Sequence, residues 1–159
     1  RLLRRQGRDL SLLLAGERAP EFARWERRHG RREEGVVVLG RVEEDVKQAL
    51  LAQAEFLLLP SVVESFGLVF LEAWSHGKPV IGARAGGISG VVRHGENGLL
   101  ALPDDAPALA TAMAQLLDDP ALARRLGEAG RTGLAEHTWE RVYARTMGAY
   151  RAALERMKD

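Results

Sequence analysis

The chain has no cysteine, which excludes disulfides and thiolate metal sites and fits a reducing cytoplasm. Long apolar runs are also lacking. The stretches 56–59 and 98–102 fall far short of the roughly 20 residues that a membrane span needs, so a soluble protein is expected. The start, Arg1-Leu2-Leu3-Arg4-Arg5, offers no apolar core long enough for a secretory signal. There is almost no surplus of charge of either sign: 23 Lys and Arg against 22 Asp and Glu leave a formal net charge of +1. That balance argues against nucleic acid as the main partner. The histidines His29, His76, His94 and His137 are scattered, and the pairing of His137 with Glu140 straddles a helix start without further ligands, so no metal site is expected.

What is present is enough for one globular domain: 159 residues, 46% hydrophobic and 28% charged. Arginine is concentrated in the first fifth, from Arg1, Arg4 and Arg5 to Arg31 and Arg32, with Glu17, Glu21, Glu26, Glu33 and Glu34 interleaved. Two readings are open. Either this is a patch for anionic lipid headgroups or an acidic partner, or it is a pair of solvated helix faces. No row of aromatics accompanies the arginines for base stacking.

Short apolar runs alternate with helical patterns. Strands are predicted over 10–15, 36–39, 56–59, 78–82 and 98–101, and helices over 20–32, 43–53 and 68–76. Continuous apolar strands separated by helices imply a doubly wound, Rossmann-like α/β domain with a parallel sheet covered on both faces. The remainder reads as helical. Asp104 or Asp105 caps one helix, Asp119-Pro120 starts another, and Thr138 starts the last, whose stripe of Trp139, Val142, Tyr143, Met147, Tyr150 and Leu154 is expected to pack on the domain. Residues 1–9 read as the tail of a helix, so the first, central strand of such a sheet is missing and the chain is expected to be a piece of a longer protein.

Glu64 and Glu72 flank a strand-to-helix corner, with Gly67 just ahead of the helix. A glycine there lets the backbone approach a ligand, and the first helical N–H groups, lacking intrahelical partners, attract phosphate. One carboxylate in the loop and one about two turns into the helix can grip hydroxyls on either side of that phosphate. Simpler readings stand beside this one: Glu64 as a helix cap, Glu72 as a surface residue, Arg41 as an ordinary loop arginine, and Arg84 and Lys78 as solvent-facing turn residues.

Seven blocks follow one another in order: Gly40-Arg41-Val42, Leu59-Pro60-Ser61, Glu64-Ser65-Phe66-Gly67-Leu68, Glu72-Ala73, Gly77-Lys78-Pro79-Val80-Ile81, Gly86-Gly87 and Gly95-Glu96-Asn97-Gly98-Leu99-Leu100. Over nearly the whole chain this order resembles the C-terminal, donor-binding domain of retaining glycosyltransferases of the GT-B fold, in particular glycosyltransferase family 4. The resemblance implies that Glu64 lies by the transferred sugar, accepting hydrogen bonds from its hydroxyls and stabilising positive charge at the anomeric carbon. It implies that Glu72 holds the ribose of the nucleotide, and that Ser65, Phe66, Gly67, Leu68 and Val69 offer backbone N–H groups to sugar and diphosphate. Arg41 and Val42 match the loop that receives the base. The implied partners are a nucleotide diphosphate sugar as substrate, with no metal or other cofactor, and an acceptor-binding N-terminal domain in the parent chain. Apart from the resemblance, the lack of cysteine leads to an expected cytoplasmic location, peripheral at the inner membrane face if the arginine patch meets anionic lipid.

Two departures stand out. The family's glycine-rich strand end, with the arginine and lysine that neutralise the diphosphate, would lie before Arg1. Many members carry a glutamate where this chain has Gly90. Since cations stabilising the leaving group are a large term in such transfers, the chain by itself is expected to bind donor weakly and turn over poorly. The expected activity is transfer of a sugar to an acceptor hydroxyl with retention. The alternatives are a non-catalytic nucleotide-binding module of the same fold, or a related GT-B epimerase or phosphorylase.

Overall fold

A computed structural model describes residues 1–17, 19–29 and 35–157. Among these residues five strands run parallel in two sheets. In the first, β1 (Leu12–Ala15) pairs with β2 (Val36–Gly40), Leu12 opposite Val36, with a register shift before Ala15 meets Gly40. In the second, β4 (Val80–Ala83) lies between β3 (Leu57–Leu59) and β5 (Leu99–Ala101). Among the described residues no backbone ladder joins β1–β2 to β3–β4–β5. The helices are α1 (Leu2–Arg5), α2 (Pro20–His29), α3 (Glu44–Gln53), α4 (Leu68–Ser75), α5 (Ile88–Val91), α6 (Ala106–Asp118), α7 (Pro120–Gly133) and α8 (Trp139–Arg156). The doubly wound α/β class predicted from the strand and helix alternation is the fold observed. The end of the helix predicted over 20–32 lies outside the described residues.

The core forms on both faces of β4, because alternate strand residues point to opposite sides. Val80 joins Phe70, Ala73 and Trp74 of α4 and Ile88 of α5, while Ile81 joins Leu99, Leu116 of α6 and Leu126 of α7. All four residues of β4 are buried, as a strand between two helical layers requires. The first sheet departs from that expectation. In β1 and β2 half-buried and exposed positions alternate, and Leu13 (46% exposed), its register partner Val37 (45%) and Leu39 (38%) share an open face that no described helix covers.

The predicted caps are used. Asp105, rather than Asp104, accepts from Ala108 N (2.8 Å) at the start of α6, and Asp119 accepts from Ala121 and Leu122 N (3.0 and 2.9 Å) at the start of α7. Each satisfies amides that the first helical turn leaves orphaned, and proline sits in each first turn where no N–H is needed. Thr138 caps α8 more loosely, at 3.4 Å from Arg141 N.

The expectation that the stripe on α8 packs against the domain is overturned. No residue of α8 is buried, Trp139 is 85% and Tyr143 67% exposed, and only Met147 is half-buried. The reason is geometric: α8 leaves from the single turn Leu134–His137 and makes its main contact with that turn, so its apolar side stays largely exposed.

Candidate functional site

In parallel sheets of this kind the loops after the carboxyl ends of the strands form the ligand crevice. Here the loops are tied together in pairs. Gly16 N donates to Gly40 O (2.8 Å) at the ends of β1 and β2, and Gly87 N donates to Glu64 O (2.8 Å) between the loops that follow β4 and β3.

The corner between β3 and α4 is built around Gly67. Its φ of 81° is left-handed, and a Cβ there would come within 2.7 Å of the Phe70 ring, so glycine answers both to the turn and to the core beneath it. Gly67 O closes the first bond of the corner by accepting from Phe70 N (2.9 Å), while no side chain caps the amides of α4. Those amides and the positive end of the helix are therefore open to an anion. Leu68 is exposed and Val69 half-buried at this entrance.

Glu64 does not cap α4. Its Oε1 accepts from Ser65 N (3.0 Å) and, more weakly, from Phe66 N (3.4 Å), bracing the loop ahead of the helix. The carboxylate thus occupies two of the amides that the resemblance assigns to donor. Gly87 supports the same loop at close quarters. A Cβ at Gly87 would penetrate the Ser65 carbonyl and stand 3.1 Å from Glu64 O, both of them backbone groups that cannot rotate away. Gly87→Ala is expected to destabilise the fold by about 1–3 kcal/mol through overpacking, read from the midpoint of urea denaturation. A midpoint unchanged from the parent would show that the loop yields freely. Gly90, by contrast, faces open space, with nothing within 4 Å of a Cβ.

Glu72, on α4, is held by α3. Lys47 Nζ donates to Glu72 Oε1 (3.0 Å), lies 3.0 Å from Oε2, and pairs with Glu44 Oε2 at 2.9 Å. Glu72 Oε2 is shielded from solvent and accepts no well-directed hydrogen bond. The Lys47 ammonium is held above the ordinary lysine range, chiefly by its hydrogen bond to Glu44 and next by that to Glu72. Glu44 is held below the usual carboxylate range, first by Gln48 and then by Lys47.

Arg41 follows β2 and reaches Glu17, after β1, at 3.7 Å, with both side chains 84% exposed. Such a pair is worth little energetically, but it spans the rim of a shallow hollow lined by Leu14, Ala15, Gly16, Glu17, Phe22 and Val38. Val42 is half-buried beside it in sequence. Among the described residues no hydrogen bond or ion pair links Glu64 to Glu72, or either of them to Arg41. No group of three or more His, Asp or Glu among them stands close enough to hold a metal.

Sequence reasoning missed Lys47 and the part played by Asn97. Lys47 sits on a weakly patterned helix, and only its place one turn after Glu44 hints at a role. Asn97 is buried. Its Oδ1 accepts from Arg93 N (2.7 Å), its Nδ2 donates to Val91 O (3.2 Å), and its carbonyl accepts from Trp74 Nε1 (3.0 Å), so the Gly95-to-Leu100 block is a structural knot beneath α4.

Parallel strands, covering helices and an uncapped helix start after β3 define a doubly wound α/β domain with an anion-accepting corner. The pattern of the family described as "Glycosyl transferases group 1" matches residues 1–119, and the chain belongs to that family. It is 41% identical over 130 residues to N-acetyl-alpha-D-glucosaminyl L-malate synthase of Bacillus anthracis, an overlap of 80% of this chain and 33% of that protein. Among solved structures, sucrose-phosphate synthase from Thermosynechococcus elongatus superposes with a TM-score of 0.76 and 34% identity, covering 91% of this chain and 39% of that one. Anabaena Alr3699/HepE in complex with UDP-glucose gives 0.73 and 25%, covering 90% and 40%. The chain spans about a third of the length of the curated relative it matches.

Proposed function

We propose that this chain is the donor-binding domain of a retaining glycosyltransferase, which moves a sugar from a nucleotide diphosphate sugar to an acceptor hydroxyl. The observation that carries the reading is the corner itself. Behind a left-handed Gly67, the amides at the start of α4 have no side-chain cap, and Glu64 lies on the two amides before them. A similar fold binding UDP-glucose supports it. The diphosphate takes the amides of Ser65 to Val69, in place of a metal, and Glu64 turns from Ser65 and Phe66 to the sugar hydroxyls. Glu72 takes the ribose, and the base enters by Arg41 and Val42. The acceptor comes from an N-terminal domain of the parent protein, against which the open side of α8 packs, and the cations that balance the leaving diphosphate come from the parent's glycine-rich strand end. Arginines of the first fifth hold the parent loosely at an anionic membrane face in the cytoplasm.

The test is titration of the full-length parent with UDP-, GDP- and ADP-sugars. Glu72→Ala is expected to weaken the best donor by about tenfold or more, the cost of losing hydrogen bonds to a charged acceptor. Equal binding by parent and variant would remove Glu72 from the ribose.

A further inference from the structure

We infer that Lys47 is a positioning residue for the nucleotide: anchored on Glu44, it holds the carboxylate of Glu72 in place to accept from a ribose hydroxyl. The inference rests on the ribose reading of Glu72 given above and adds a residue that lies on a different helix.

The Lys47 ammonium bridges the Glu72 carboxylate, 3.0 Å from each of its oxygens. An ammonium has three donors and no acceptor. One donor of Lys47 goes to Glu72 Oε1 at 3.0 Å, and Glu44 Oε2 stands 2.9 Å from the same nitrogen. Glu44 is itself steadied by Gln48 Nε2 at 2.8 Å, so the series Gln48, Glu44, Lys47, Glu72 runs from the exposed side of α3 to α4. At its end the directed bond goes to Glu72 Oε1, with Oε2 in ion-pair contact with the same ammonium. A carboxylate offers about four lone-pair sites, so a ligand hydroxyl can donate to Glu72 beside Lys47, which restrains the rotation of the carboxylate about its last torsion. The raised pKa of Lys47 keeps the anchor charged throughout the neutral range.

A purely structural role makes a different prediction. Lys47 and Glu72 side chains are 31% and 29% exposed, and a partly solvated pair contributes at most about 1 kcal/mol to folding. Lys47→Met should therefore melt close to the parent and change ligand selectivity instead of stability.

The experiment compares UDP, GDP and ADP with their 2′,3′-dideoxy counterparts by calorimetry on the full-length protein, together with the melting midpoint of each variant. The parent is expected to prefer the ribose form of its nucleotide by about tenfold or more, as charge-assisted hydrogen bonds allow. In Lys47→Met that preference should shrink to about twofold or threefold, and Lys47→Arg, which keeps the charge, should retain most of it. An unchanged preference in Lys47→Met, or equal weakening of both forms, overturns the role of Lys47 and leaves the ribose reading of Glu72 intact. If the unaltered protein shows no ribose preference, or if Glu72→Gln keeps it, the ribose reading fails and this inference fails with it. Failure of all three nucleotides to bind overturns the donor reading itself.

Discussion

Replacing Glu64 by alanine is expected to lower sugar transfer by the full-length protein about 10²–10³-fold, the range typical of losing one preorganised charge-stabilising group, while nucleoside diphosphate binds at least as tightly as before. The two halves of this result come from the same bonds. Glu64 Oε1 accepts from Ser65 N and Phe66 N, so a phosphate that needs those amides must first displace a carboxylate of like charge. Alanine removes both the competitor and the repulsion. It also removes the anion that would face positive charge at the anomeric carbon, and the rate suffers for it. Glu64→Gln should share the loss of rate, since an amide can still accept from the loop but carries no charge. The measurements are steady-state turnover with the best nucleotide sugar and calorimetric titration with the matching diphosphate. Normal turnover in Glu64→Ala would take Glu64 off the list of catalytic residues, and weaker diphosphate binding would show that its hold on the loop assists the ligand.

Trp74→Ala should be the most damaging single change to the fold, at about 3–5 kcal/mol for removing a buried tryptophan. Trp74 is 1% exposed on α4 and packs near Phe70, with ring centroids 6.5 Å apart. On its other side Gly130 of α7 leaves room for the indole, and any Cβ there would run into the ring. The indole N–H donates to the carbonyl of buried Asn97, so alanine leaves both a cavity and an unpaired acceptor. A loss of this size corresponds to a fall in melting temperature of roughly ten degrees for a domain of this length, measured by circular dichroism. Trp74→Phe, which fills most of the space but cannot donate, should fall in between. A loss below about 1 kcal/mol for alanine would mean that α4 and α7 collapse onto the gap.

The fold class was legible because β4 and its flanking helices obey local rules. The 78–82 run is apolar on both faces, and proline after an aspartate announces α7. The errors occurred where burial depends on partners distant in the chain. Leu13, Val37 and Leu39 look like the residues of β4, yet one face of their sheet is open, and nothing in a four-residue apolar run says how many layers will cover it. The stripe on α8 has the period of a packed helix, but periodicity names a face without naming what lies against it. At the site, Gly67 and the corner were readable from turn chemistry. Lys47 was not, because an ion pair between residues 25 apart leaves no local pattern, and neither was the close approach of Gly87 to the Ser65 carbonyl, which depends on two loops meeting.

The open side of α8 also decides what a stability measurement on this chain would mean. The stripe with Trp139, Tyr143, Tyr150 and Leu154 is uncovered, and any occupant it took would bind the folded helix in preference to the unfolded chain. By mass action that occupant raises the folding free energy by an amount that grows with the logarithm of its concentration. The melting point of this chain is therefore a property of the solution around α8 as well as of the 159 residues.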